Sequence, residues 1–205
     1  MTKQSVNDDD IDLELVSESE SSKKVKQVVL ASVLASLSIA AAPIAEVVPR
    51  IPGWGIAVFD PVSIFWIVSF LLGGFWVGMV SVIAGTMGLF LYDPTAVGPI
   101  FKLIATLPMI VVPWLSVRRT RRASRGETLS NPKYFGMLMI LAFVVRLALM
   151  IPINLAYGSI AYPFFTMEFI ASYALILNAF QSLWDALIPF IIVYPTGVYK
   201  TFKMW

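Results

Sequence analysis

The chain has 205 residues, of which 58% are hydrophobic and 14% charged, and its mean hydropathy is +0.80. A water-soluble domain of this length needs far more polar surface to cover its core, so repeated long apolar runs point to an all-α, polytopic membrane protein. There is no Cys and no His, which removes disulfides, thiol chemistry and the usual zinc, copper or nickel ligands.

Residues 1–22, "MTKQSVNDDDIDLELVSESESS", are acidic, Ser-rich and free of aromatics. They lack the apolar area needed to fold alone and read as a disordered, cytoplasmic tail. Residues 23–205 then form the membrane domain. "KKVK", an apolar run and "AAA" at 40–42 imitate a signal peptide, but the acidic leader is too long for one, so a retained first helix is expected over 26–48. "PRIPGWGIAV", 49–58, carries two Pro and two Gly and reads as a loop.

"FDPVSIFWIVSFLLGGFWVGMVSVIAG", 59–85, is longer than one span requires and is cut at Gly73-Gly74. It splits into a second helix, 61–73, and a third, 76–92, joined by a tight turn. "YDPT", 92–95, is a turn with Asp before Pro. A fourth helix covers 98–117, a polar loop 118–133 follows, and a fifth helix covers 134–156. "YGSIAYPFFT" reads as a loop, and a sixth helix covers 167–194, with Pro189 near its end.

Six transmembrane helices place the basic residues on one side. Lys23, Lys24 and Lys26 precede the first helix; Arg118, Arg119, Arg121, Arg122, Arg125 and Lys133 lie between the fourth and fifth; Lys200 and Lys203 follow the sixth. Arg50 alone falls in an opposite loop. The positive-inside rule then puts both termini in the cytoplasm of a multi-pass cell-membrane protein. The lipid bilayer is therefore one partner, and neither a nucleic acid nor a cofactor is expected.

A charge at membrane depth costs about 2.5–3.5 kcal/mol on insertion scales, so such residues face a cavity, a partner or the interface. They are Glu46, Asp60, Asp93, Lys102, Arg146, Glu168 and Asp185. Asp60 and Lys102 stand inside apolar runs and are read as site residues. Arg146 and Asp185 suit either a buried structural pair or a pathway. Trp54, Tyr92, Tyr157 and Tyr162 fit an interfacial belt as well as a site. No nucleotide-binding G-x-x-x-x-G-K-[ST] is present.

The order of elements resembles the substrate-binding S-components of energy-coupling factor (ECF) vitamin transporters, with the riboflavin-type branch most similar. The likeness covers about 23–200. It rests on the basic start, a first helix rich in small residues, Asp60 ahead of the second helix, the "GGFWVG" turn, and "RLALMIPINLAYG" at 146–158. In that family an Asn near the outer end of the fifth helix lines the ligand site, here Asn154. "NAFQSLWDAL" resembles a Pro-Phe-Asn-x-x-Lys segment of the sixth helix, with Gln181 at the Asn position and Trp184 at the Lys position. The resemblance implies a six-helix bundle that is not itself an enzyme. It implies capture of a vitamin-like molecule from outside and delivery through a transmembrane coupling subunit and two ATPase subunits.

The expected substrate site is Trp54, Asp60, Lys102, Asn154, Asn178 and Gln181, the last two being three apart on one helical face. Ala31 and Ala35, four apart in "ASVLA", have the small-xxx-small spacing that lets another helix approach closely, and the resemblance implies that they dock the coupling subunit. Two other classes stay open: a self-sufficient small transporter or channel using Arg146 and Asp185, and a membrane enzyme or assembly factor using Lys102 or Asp60.

Overall fold

The computed structural model describes residues 8–52, 57, 59–119 and 125–202. These form eight helices and no strand: α1 (Asp8–Val47), α2 (Val62–Gly73), α3 (Phe75–Leu89), α4 (Val97–Arg118), α5 (Arg125–Thr128), α6 (Pro132–Ala161), α7 (Met167–Val193) and α8 (Val198–Phe202). Four segments are long and apolar enough to cross a membrane: Glu20–Ala45, Val97–Arg118, Pro132–Ala161 and Met167–Val193. α2 and α3 are apolar but short, about 18 and 22 Å at the helical rise. The all-α membrane class expected from composition is thus present, with four spans of full length and one short hairpin.

α1 reaches back to Asp8, into the acidic stretch that composition reads as disordered. α6 runs five residues past its expected end. Gly158 does not break it: a Cβ there would lie 2.9 Å from Ile170 Cδ1, so this glycine serves close packing of α6 on α7. The break comes ahead of Pro163, whose ring disfavours a helical residue before it.

α2 is the centre of the bundle, with 11 of its 12 residues buried from Val62 to Gly73. It packs against α1, α3 and α7, and α4 packs against α6. The outward faces of α1 and α6 are apolar instead, with Val28, Val29, Val33, Met137, Ile140 and Val144 all exposed. Exposed apolar faces of this extent suit lipid contact.

The Gly-Gly pair is what folds α2 back on α3. Gly74 has φ 86° and ψ −174°, a region essentially reserved for glycine. A Cβ on Gly73 would fall 2.5 Å from Val77, and one on Gly78 would fall 2.6 Å from Phe70 Cβ. Gly74→Ala should therefore lose about 1–3 kcal/mol of stability, read as an earlier thermal transition of the purified protein. An unchanged transition would show that the turn tolerates a Cβ.

Ala31 and Ala35 are buried at 2% and 3% exposure. On α1 they share the buried side with Leu34 and Ser38, while Ser32 and Ser36 are exposed. The small-residue stripe is thus used within the bundle, where it lets α1 lie close on α2 and α3. The expected docking residues Ala31 and Ala35 thus face the chain's own helices, and the exposed side of α1 carries Val28, Val29 and Val33.

At the opposite end from the α3–α4 turn, Tyr194 Oη donates to Gly126 O at 2.9 Å, holding the end of α7 to the loop after α4. Burial pushes the Tyr194 phenol far above its usual pKa, so it remains a donor at any physiological pH.

Candidate ligand cavity and buried polar network

Two features occupy the α4–α6–α7 side of the bundle. The first is a polar network. Arg146, 1% exposed, extends its guanidinium from α6 toward α7. Its Nε donates to Asn178 Oδ1 at 2.7 Å, its Nη1 to Asp185 Oδ2 at 2.8 Å, and its Nη2 to Gln181 Oε1 at 2.6 Å. Ser63 Oγ on α2 donates to the other Asp185 oxygen at 2.6 Å, and Asn178 Nδ2 donates back to Ala174 O at 2.7 Å. Asn178, Gln181 and Asp185 recur at three- and four-residue steps, which puts all three acceptors on one face of α7.

The shared face expected for Asn178 and Gln181 is therefore real, but what it meets is Arg146. Neither amide lines the cavity described below. Arg146 and Asp185 form the buried pair considered from the sequence. Its satisfied hydrogen bonds fit a structural tie between α2, α6 and α7, because a buried ion pair persists only when its remaining polar atoms are also met.

The second feature is a partly open cavity of about 390 Å³, between the start of α4, the end of α6 and the start of α7. α6 contributes Asn154, Tyr157 and Gly158, and α7 contributes Phe169, Tyr173 and Leu177. Phe101 and Gly98 enter from α4, and Tyr162 and Phe165 from the α6–α7 connection. The rings contact one another: Phe101 and Tyr157 are 5.3 Å apart, edge to face, and Phe165 stacks on Phe169 at 4.5 Å. Volume and lining fall in the range of small-molecule sites, which are mainly apolar with a few placed polar groups.

Asn154 is the one non-phenolic polar side chain among the described lining residues. Its Nδ2 donates to Met150 O at 2.7 Å. A carbonyl only accepts, so this bond fixes which end of the amide is the NH2. Oδ1 has no partner among the described residues. Asn154→Ala should weaken ligand binding by roughly 5- to 150-fold, the effect of leaving one ligand group unpaired, measured by calorimetry. Unchanged affinity with the fold intact would remove Asn154 from the site.

Asp60 and Lys102 stand together, as their isolation in apolar runs suggested, but they pair with each other and do not line the cavity. Asp60 Oδ1 also accepts from Val62 N at 3.0 Å, an Asx turn that starts α2. The pair ties the α1–α2 connection to α4. At the cavity rim, Asp93 Oδ2 accepts from Gly98 N at 2.9 Å and Oδ1 from Thr95 N at 3.0 Å. The Thr95 hydroxyl, followed by these backbone donors, holds the Asp93 carboxyl below its usual pKa, so it stays ionised at neutral pH. Trp54, the expected ring-stacking residue, lies outside the described residues.

Of the five expected substrate residues that are described, the cavity takes one, Asn154. The residues missed are the aromatics Phe101, Phe165, Phe169 and Tyr173. Their signal was the density of rings in "YGSIAYPFFTMEFIASY", with Phe165, Phe169 and Tyr173 at four-residue steps. Interfacial belts use the same residue types, so density alone did not separate the two uses. No metal-binding group of three or more Asp or Glu is formed among the described residues. Comparison with family models, curated proteins and solved structures finds no match to this chain.

Proposed function

We propose that the chain is a membrane-embedded substrate-binding subunit, an S-component of an ECF-type importer, that captures a vitamin-like molecule in the α4–α6–α7 cavity. In this reading α1–α4, α6 and α7 are the six membrane helices, and both termini and the 118–133 loop are cytoplasmic. ATP hydrolysis belongs to two partner ATPases, which act through a transmembrane coupling subunit. The observation that carries the reading is the aromatic cavity at one end of a helical bundle, lined by rings and the Asn154 amide. A mainly apolar pocket of this kind suits capture of a small molecule, whereas a self-sufficient channel needs a continuous polar path.

The topology is tested by cysteine labelling, for which the naturally Cys-free chain is directly suited. A Cys introduced at Ser124 should be protected in intact cells and labelled after permeabilisation; labelling from outside would overturn the orientation. The assignment itself is tested by reconstitution. Proteoliposomes holding the chain alone should bind but not accumulate ligand, and accumulation should require the coupling module and ATP.

A further inference from the structure

Charge is absent from the cavity wall. None of the described lining residues is acidic or basic, and its polar groups are the Asn154 amide and the hydroxyls of Tyr157, Tyr162 and Tyr173. The neighbouring charges are committed elsewhere. Arg146 lies two turns before Asn154 on α6 and spends its guanidinium on Asn178, Asp185 and Gln181. Asp60 and Lys102 hold one another, and Asp93 is held by Thr95 and Gly98. Arg50 acts electrostatically on Tyr173, but it is not part of the lining.

An ion moved from water into such a wall loses its hydration and meets no counter-charge among the described lining residues. A flat neutral ring loses little and gains ring contacts, because aromatic pairs favour offset or edge-to-face geometry of the kind already present between Phe101 and Tyr157. The fixed orientation of the Asn154 amide adds a polarity. With Nδ2 on Met150 O, the unpartnered Oδ1 is an acceptor, and the matching ligand group is a donor.

We infer that the cavity takes an uncharged heteroaromatic, held by ring contacts and presenting an N–H donor to Asn154 Oδ1. This rests on the reading of the chain as a binding subunit and narrows its ligand class.

The test uses isosteric pairs in which a neutral carboxamide is exchanged for an anionic carboxylate. Indole-3-carboxamide and indole-3-carboxylate keep the ring N–H in both members. In quinoline-3-carboxamide and quinoline-3-carboxylate, and in nicotinamide and nicotinate, the exchange also removes the amide N–H. Each is titrated calorimetrically into the purified full chain at neutral pH. At least one carboxamide should bind, with its carboxylate weaker by about 100-fold or more. Asn154→Leu, which keeps the side-chain volume, should weaken that carboxamide by roughly 5- to 150-fold. A carboxylate that binds as tightly as its carboxamide, or a set in which no carboxamide binds, would overturn the inference. So would full affinity in Asn154→Leu. These failures are separable from failure of the functional reading: a charged-ligand preference leaves the subunit assignment standing, while accumulation by the chain alone removes that assignment and leaves the ligand class intact.

Discussion

Arg146→Met should be the most damaging single substitution in the bundle, lowering stability by about 3–5 kcal/mol. The loss comes less from the missing contact than from what remains. Asp185, 1% exposed, would be left with only Ser63 to donate to it, and the Asn178 and Gln181 oxygens would lose their donor. Such a group is costly in protein and more so at membrane depth. The measurement is the fraction of folded protein against temperature, followed by size-exclusion chromatography in detergent. Asp185→Asn alone should be milder, since the amide oxygen still accepts from Arg146. The double substitution Arg146→Met with Asp185→Leu should recover part of the loss, because it removes both charges together. Equal instability of the double and the single variant would show that the network's worth lies in the Asn178 and Gln181 bonds and not in the ion pair.

Gly85→Val should be nearly as severe, and for a different reason. Here α3 comes down on α1 and α2 at the point where Trp66 Nε1 donates to Ser38 Oγ at 2.8 Å. A Cβ on Gly85 would lie 2.2 Å from Trp66 Nε1 and 2.7 Å from Ser38 Oγ. Neither neighbour can swing away. Trp66 and Ser38 are both fully buried, and moving either breaks their hydrogen bond. Overpacking of this kind costs about 1–3 kcal/mol for a small group and more for a branched one. The expected result is a large fall in thermal stability for Gly85→Val and a smaller one for Gly85→Ala. A Gly85→Ala protein as stable as the parent would mean that the three helices separate easily at this crossing.

These two positions show what was legible in the chain and what was not. The elements were largely readable, because apolar runs interrupted by Pro, Gly and charge mark where helices in a bilayer start and stop. α2, α4 and α7 begin and end within a residue of their expected bounds. Asp60 and Lys102 were readable as unusual, since an apolar run makes any charge conspicuous. That they serve each other was not, because their spacing of 42 residues carries no periodic signal. The same limit applies to Asn178 and Gln181. Helical spacing put them on one face, but only the packing of α6 on α7 supplies Arg146 as their target. Ala31 and Ala35 are a parallel case. Small residues four apart permit a close helix contact, and nothing in the spacing says whether that helix belongs to the same chain. "YGSIAYPFFT" reads as a loop although its first five residues continue α6, because a glycine inside a helix and one at its end look alike until the neighbouring Ile170 is in place.

The central claim is that the chain holds a small molecule in the α4–α6–α7 cavity and does not by itself move it across the membrane. Mass spectrometry of what the purified protein releases on denaturation tests it most directly, with Asn154→Leu prepared in parallel. The expected result is one uncharged heteroaromatic species, close to one per chain, and sharply reduced in Asn154→Leu. Release of the same species at the same level from both proteins, or of no small molecule from either, would contradict the claim that this cavity is the binding site.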